Sequence, residues 1–183
     1  MSIPRFMVGR SALLVVDVQE KLVPAMTDAE QLVASVGKLI DGMHLLKVPV
    51  LATEQYPRGL GPTVQPIAQR LASAVCVEEK LKFSACIEPV RAKLTEGRIH
   101  SVIVCGIEAH VCVQQTCLDL IQAGYVTGFV VDAITSRKAI DRDTAVQRLT
   151  QAGAVPVTVE SVLFELMHEA GGEQFKALSK LVK

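Results

Sequence analysis

The fold is decided by residues 100–112, which read His100-Ser-Val-Ile-Val-Cys-Gly-Ile-Glu-Ala-His-Val-Cys112. The first six of these residues have the length and the largely apolar character of a buried strand, and Gly106 ends it. Residues 111–123 then have the spacing of a helix, which Gly124 stops. A strand that is apolar throughout is buried on both faces, which is typical of a parallel sheet covered by helices.

The same alternation of short apolar runs and amphipathic stretches extends in both directions along the chain. It predicts further strands over 12–17, 48–53, 126–132 and 155–159, and helices over 28–46, 64–74, 87–96, 141–152, 162–170 and 174–181. Residues 75–77 are one more strand or a crossing segment, and 54–62 form a loop rich in Gly and Pro. This pattern predicts an α/β fold, and no break divides residues 1–183, so we expect a single domain.

Composition excludes several classes of function. Nineteen basic and nineteen acidic residues give a net charge of zero without basic clusters, so we expect no nucleic-acid partner. No apolar run reaches the roughly 18 residues that span a bilayer, so we expect no membrane partner either. The first ten residues lack the apolar region of a signal peptide, and we expect a cytoplasmic protein.

Five cysteines are present, at positions 76, 86, 105, 112 and 117. The number is odd, the chain is not small, and no CxxC pair occurs. These features argue against a disulfide framework and against a zinc site built on paired cysteines.

Reactive groups in such sheets lie at the carboxyl ends of strands, where this chain has Asp17, Glu54 and the 106–112 turn. Cys112 is expected in the first turn of a helix, where unpaired N–H groups and the helix dipole lower a thiol pKa. Asp17 ends an apolar strand and needs a partner there, and it could act as a general base. A lysine at 80 or 82 would stabilise both groups, and spacing alone does not choose between Lys80 and Lys82.

Three segments together resemble the isochorismatase-like hydrolase superfamily, which includes isochorismatases, nicotinamidases and N-carbamoyl amidohydrolases. They are residues 13–19 (Leu-Leu-Val-Val-Asp-Val-Gln), 79–85 (Glu-Lys-Leu-Lys-Phe-Ser-Ala) and 106–113 (Gly-Ile-Glu-Ala-His-Val-Cys-Val). Residues 53–61 are most similar to the isochorismatase-domain-containing branch. The resemblance implies a three-layer, doubly wound, mainly parallel sheet of six strands with helices on both faces.

The resemblance also assigns roles to residues. It implies Cys112 as nucleophile, Asp17 as general base and Lys80 as their ammonium partner, because the family's lysine precedes a Phe-Ser pair by three residues. It implies a cis peptide bond between Ile107 and Glu108, with the backbone N–H groups of Glu108 and Cys112 as an oxyanion hole. An alternative pairs Cys112 with His110. The side chains expected to line the substrate pocket are Gln19, Tyr56 and Phe83.

Two departures from the family narrow the predicted chemistry. Nicotinamidases carry an Asp-x-His metal motif after the second strand, where this chain has Glu54-Gln-Tyr56, so we expect no metal and no other cofactor. Some isochorismatases lack the cysteine, whereas this chain has Cys112, which favours covalent catalysis on an amide-like carbonyl.

The sequence therefore predicts a metal-independent cysteine hydrolase that acts on a small amide, carbamoyl or related carbonyl compound through a thioester-type intermediate. The alternative is a non-catalytic binding or assembly protein that retains the fold. The resemblance also implies a homo-oligomer, a dimer or larger, with residues 58–62 and the last helix as candidate contacts.

Overall fold

Six parallel strands form the central sheet of the computed structural model, which describes residues 3–183. The strands are β1 (Ser11–Val16), β2 (Val50–Gln55), β3 (Cys76–Lys80), β4 (Ser101–Ile107), β5 (Val126–Thr135) and β6 (Val155–Val157). Their order is β3-β2-β1-β4-β5-β6, and every pairing between neighbours is parallel. The predicted doubly wound α/β sheet is therefore confirmed.

Helices cover both faces of this sheet. They are α1 (Ala29–Leu45), α2 (Pro57–Leu60), α3 (Gln65–Ala68), α4 (Glu88–Glu96), α5 (Gln114–Gln122), α6 (Ala139–Gln151), α7 (Val159–Met167) and α8 (Gly172–Val182). A π-helical turn, Ala109–Val113, precedes α5, and 3-10 turns occur at Val23–Ala25 and Arg70–Ser73. Within the described range, no helix has the length and apolarity that crossing a bilayer requires.

Strand β1 lies between β2 and β4 and is buried along its whole length. Because successive side chains of a strand point to opposite faces, Leu13 and Val15 pack with α1, α7 and α8. Ala12, Leu14 and Val16 pack on the other face with α4, α5 and α6. Two apolar layers thus enclose the sheet, and this explains the uninterrupted apolar runs in the sequence.

Gly106 allows β4 to approach β1 at the end that carries the polar residues. It pairs with Val16 and has a φ of +115°, which L side chains rarely adopt. A Cβ atom at this position would lie 2.0 Å from the carbonyl oxygen of Val16. Glycine at 106 therefore brings the turn after β4 close to the residue that follows β1, which is Asp17.

Several predicted boundaries differ from the structure. Strand β2 continues to Gln55, beyond the predicted end at residue 53, and β3 includes Lys80. The predicted loop at 54–62 contains the short helix α2, and the predicted helix 64–74 is divided into α3 and a 3-10 turn. Pro57 is the first residue of α2 and Pro66 the second of α3, positions in the first helical turn that proline suits.

Candidate active site

Asp17 and Lys80 form a buried ion pair at the carboxyl end of the sheet. Lys80 Nζ lies 2.6 Å from Asp17 Oδ2, and the two side chains are 1% and 0% exposed. The hydroxyl of Thr53 donates to the other carboxylate oxygen, Oδ1, at 2.8 Å. Thr53 belongs to β2, the neighbour of β1, and Lys80 belongs to β3, the next strand. Both carboxylate oxygens of Asp17 are thus held by donors from these two strands.

Lys80 is fixed by further acceptors around its ammonium group. It donates to Gln55 Oε1 at 2.8 Å and to the backbone carbonyls of Phe83 at 2.9 Å and Lys82 at 3.2 Å. Lys82 itself has an exposed side chain and contributes only this carbonyl. The structure therefore brings Lys80, and not Lys82, to Asp17.

Burial changes the proton affinity of Asp17. Removal of the carboxylate from water raises its pKa above the ordinary value, and the Lys80 charge and the hydrogen bonds from Lys80, Thr53 and Cys112 oppose that rise. A carboxyl group with a raised pKa is a better proton acceptor than an exposed aspartate, which suits it to accept a proton from a neighbouring thiol.

Cys112 lies in the π-helical turn between β4 and α5 and is only 6% exposed. Burial and the neighbouring Asp17 carboxylate raise the pKa of its thiol to about 12, while Lys80 and the backbone N–H of Glu108 act in the opposite direction. The expectation of a lowered thiol pKa was wrong, because desolvation at this depth exceeds the stabilisation from nearby N–H groups.

The turn before Cys112 has the backbone that the resemblance implies. The peptide bond Ile107–Glu108 is cis. The carbonyl of Glu108 accepts hydrogen bonds from the N–H groups of Val111 and Val113, the residues on either side of Cys112. The backbone N–H of Glu108 opposes the rise in the pKa of the Cys112 thiol.

His110 is engaged away from the thiol. Its Nδ1 lies 2.9 Å from the hydroxyl of Ser136, and its Nε2 lies 4.0 Å from Asp141 Oδ2. Asp17 is instead the ionisable side chain that perturbs Cys112 most strongly. This geometry favours the predicted Cys112–Asp17 pairing over the Cys112–His110 alternative.

The three residues expected to line a pocket differ in their exposure to solvent. Tyr56 and Phe83 are 51% and 53% exposed, and Tyr56 borders a cavity of about 350 Å³ with Arg58, Glu79 and Leu81. Gln19 is fully buried, and its amide group exchanges hydrogen bonds with the backbone of Gln55 and Gly61. Gln19 thus fastens the loop at 55–61, and its contact with a substrate stays a prediction.

Thr53 and Gln55 were not among the predicted site residues. They lie two positions apart at the end of β2, so their side chains share one face of the sheet and reach Asp17 and Lys80. Two polar residues at alternating positions after the apolar residues 50–52 are the signal that could have identified them.

The region where nicotinamidases carry metal ligands is occupied by internal hydrogen bonds. Glu54 Oε1 accepts from the N–H and the hydroxyl of Thr63, both at 2.7 Å. Gln55 donates to the Leu81 carbonyl and accepts from Lys80. Across residues 3–183, no three His, Cys, Asp or Glu side chains are grouped so that they could hold a metal ion. This donor set does not fit the zinc-type site of that branch.

Comparison with known proteins identifies a family and several relatives of this chain. The sequence profile of the isochorismatase domain matches residues 11–161. The secreted isochorismatase effector Isc1 of Phytophthora sojae is 41% identical over 177 residues, which cover 94% of this chain and 84% of that protein. Isochorismatase domain-containing protein 2A of Mus musculus is 38% identical over 184 residues, which cover 100% of this chain and 87% of that protein.

A solved structure supports the same relationship. The structure of MAR1 ribonuclease from Caenorhabditis elegans superposes with a TM-score of 0.93 at 39% sequence identity. The match covers 97% of this chain and 92% of that chain.

Proposed function

The chain belongs to the isochorismatase domain family, and from this premise we propose that it is a cysteine hydrolase of a small amide, carbamoyl or related carbonyl compound. The observation that carries the proposal is the position of the Cys112 thiol beside Asp17, whose carboxylate is buried against Lys80. We further propose that residues 1–183 act as one domain and that the reaction needs no metal, because Glu54 is already engaged by Thr63.

The proposed reaction begins with a protonated thiol, as its raised pKa requires. Asp17 accepts the thiol proton while the sulfur attacks the substrate carbonyl carbon, and the carbonyl electron pair moves to oxygen. The N–H groups of Glu108 and Cys112 hold this oxyanion. Lys80 stabilises the carboxylate before the transfer and compensates for negative charge near the sulfur.

Collapse of the tetrahedral intermediate breaks the carbon–nitrogen bond. The leaving amine takes the proton from Asp17, and the acyl group remains on Cys112 as a thioester. A water molecule then attacks the thioester carbon through its oxygen, and Asp17 accepts a proton from that water. The acid product leaves, and the sulfur recovers its proton from Asp17, so the resting state is restored. Tyr56 and Phe83 are proposed to contact the substrate outside the reacting carbonyl.

An activated ester tests the nucleophile before any substrate is known. Mixing the protein with p-nitrophenyl acetate should release a burst of nitrophenolate and leave an acetyl group on Cys112, located by peptide mass mapping. C112S should give no acetyl adduct at position 112 and no burst, whereas C86S, a half-buried cysteine outside the site, should behave as the wild type. Absence of acetylation at Cys112 in the wild type would contradict the proposal and favour the binding-protein alternative. A library of amides and carbamoyl compounds, with mass detection of products, would then define the substrate.

A second candidate function is cleavage of RNA, which one observation favours. The similar C. elegans protein is named a ribonuclease. Incubation of a labelled single-stranded RNA with the wild type and with D17N distinguishes the two candidates. Cleavage that the wild type shows and D17N lacks would support the ribonuclease function, whereas equal cleavage would indicate a contaminating nuclease.

A further inference from the structure

The loop after β5 is bonded to the turn that carries Cys112. The carboxylate oxygen Oε2 of Glu108 accepts from the backbone N–H of Arg137 at 3.1 Å and from its Nε at 3.0 Å. Two residues further along the turn, His110 Nδ1 lies 2.9 Å from the hydroxyl of Ser136. We call these four residues, Glu108, His110, Ser136 and Arg137, the turn clamp.

The residues of the turn clamp are buried to different degrees. Ser136 is fully buried and the Glu108 side chain is 11% exposed, whereas the Arg137 side chain lies at the surface. A buried carboxylate has to be compensated, and Arg137 supplies both a charge and two donors. Because the Arg137 side chain is 61% exposed, solvent screens the charge attraction of this pair. The two hydrogen bonds are then the main restraint that Arg137 places on the Glu108 side chain.

The same loop is bonded on its other side to the segment that follows Asp17. The N–H of Thr27 donates to the Ser136 carbonyl at 3.1 Å, and the hydroxyl of Thr135 donates to the Thr27 carbonyl at 2.9 Å. Residues 135–137 thus connect the segment after the proposed base with the turn that bears the proposed nucleophile.

We propose that Arg137 is a positioning residue, which, through the Glu108 carboxylate, orients the Glu108 backbone N–H toward the oxygen of the reacting carbonyl. The inference rests on the proposed function, because it assigns a support to the proposed oxyanion hole. The side chain of Glu108 is bonded to the loop, and its own backbone N–H is a donor that opposes the rise in the pKa of the Cys112 thiol. Fixing the side chain therefore limits rotation of the backbone that carries this donor. Small displacements of an oxyanion donor have large effects on rate, because the donor must point at charge that develops only during the reaction.

Two reactions of the Cys112 thiol distinguish a role of Arg137 in orienting the oxyanion donor from a general loosening of the turn. Acetylation by p-nitrophenyl acetate forms an oxyanion, whereas alkylation by iodoacetamide displaces iodide at a saturated carbon and forms none. The ratio of the two rates at Cys112, each measured by mass mapping at a single pH, reports the oxyanion donors and cancels changes in thiol access and ionisation.

We expect R137A and E108A to lower this ratio by about tenfold or more, toward the 10²–10³-fold effect of losing a complete oxyanion donor. In E108Q the ratio should stay close to the wild-type value, because the amide oxygen of the glutamine still accepts from Arg137. R142A removes a partly exposed arginine that pairs with Asp143 on α6 and serves as the matched control, with no change expected.

An unchanged ratio in R137A and E108A would overturn the proposal, as would an E108Q variant that loses as much as E108A. Failure of the proposed function is distinguishable, because the wild type itself would then show no acetylation at Cys112. Thermal unfolding of each variant shows whether the protein remains folded at the assay temperature.

Discussion

Lys80 Nζ lies 2.6 Å from Asp17 Oδ2 in a region that solvent does not reach. Two opposite charges at this depth stabilise each other only because further donors and acceptors surround them, here Thr53, Gln55 and the Phe83 carbonyl. The pair occupies the end of the sheet beside Cys112, and most of the expected mutational effects follow from it.

Replacement of Asp17 by Asn should remove proton transfer while keeping the side-chain shape. We expect the acetylation rate of Cys112 by p-nitrophenyl acetate to fall about 10²–10⁴-fold, the range of general base catalysis. Far-UV circular dichroism should match the wild type. Asp132, an exposed acid whose Oδ1 accepts from the N–H of Val159, provides the control variant D132N. A D17N protein that is acetylated at the wild-type rate would exclude Asp17 as the base.

Replacement of Lys80 by Met should leave the Asp17 charge buried without its partner. Breaking a buried ion pair in this way costs about 3–5 kcal/mol, so the urea midpoint of unfolding should fall clearly. K82M changes an exposed side chain and should stay within about 0.5 kcal/mol of the wild type. Equal losses of unfolding free energy in K80M and K82M would show that the ion pair of Lys80 does not stabilise the fold.

The Thr53 hydroxyl is expected to stabilise the ionised form of Asp17. T53V keeps the branched shape, removes the donor to Oδ1 and should raise the pKa of Asp17 further. We expect a loss of about 1.5–3 kcal/mol in the free energy of unfolding at neutral pH, the range for a hydrogen bond to a charged group. T150V removes a hydroxyl from the exposed face of α6 and provides the comparison. The prediction would be wrong if both variants unfolded at the same urea concentration.

Stability should decrease in alkali because of the buried thiols. The folded-state pKa of Cys112 is raised from 9.0 to about 12, so above pH 9 the unfolded chain loses this proton while the folded protein retains it. The stability that this group provides is complete below pH 9 and is lost as pH rises toward 12, at a limiting slope of about 1.4 kcal/mol per pH unit. Burial also raises the pKa of Cys105 and Cys117, which adds to the same trend.

Urea unfolding at several pH values above 9 measures this slope. C112S cannot release the thiol proton, so its free energy of unfolding should decrease less steeply with pH than that of the wild type. Parallel curves for the two proteins would contradict the raised pKa of Cys112.

Self-association remains a prediction, and the exposed edge of the sheet favours it. Val75, Val77 and Leu81, which lie just before, within and just after the edge strand β3, are 48%, 47% and 76% exposed. Apolar side chains on an unpaired edge are unfavourable in water unless another surface covers them. Light scattering should therefore give a mass above the 19.7 kDa of one chain, and V77K/L81K should lower it. A wild-type mass near 19.7 kDa at micromolar concentration would reject association.

The sequence alone determined the layered fold and the main residues of the candidate site. An apolar run buried on both faces is visible in residues 102–105, since burial on two faces removes the polar alternation of an exposed strand. Asp17 and Cys112 were identifiable because both follow such runs, at the strand ends where polar groups of a parallel sheet meet. Lys80 could be preferred to Lys82 only by resemblance, because spacing places both near the same strand end.

Only the tertiary structure decided how these residues are solvated and supported. The pKa of Cys112 depends on burial and on the Asp17 carboxylate, and neither contribution can be read from its position before α5. Thr53 and Gln55 approach the site from β2 and Arg137 from the loop after β5, so their hydrogen bonds exist only once the sheet order is set. Desolvation and side-chain geometry are properties of packing between distant segments, whereas strand and helix patterns are local, and local patterns are what a sequence displays directly.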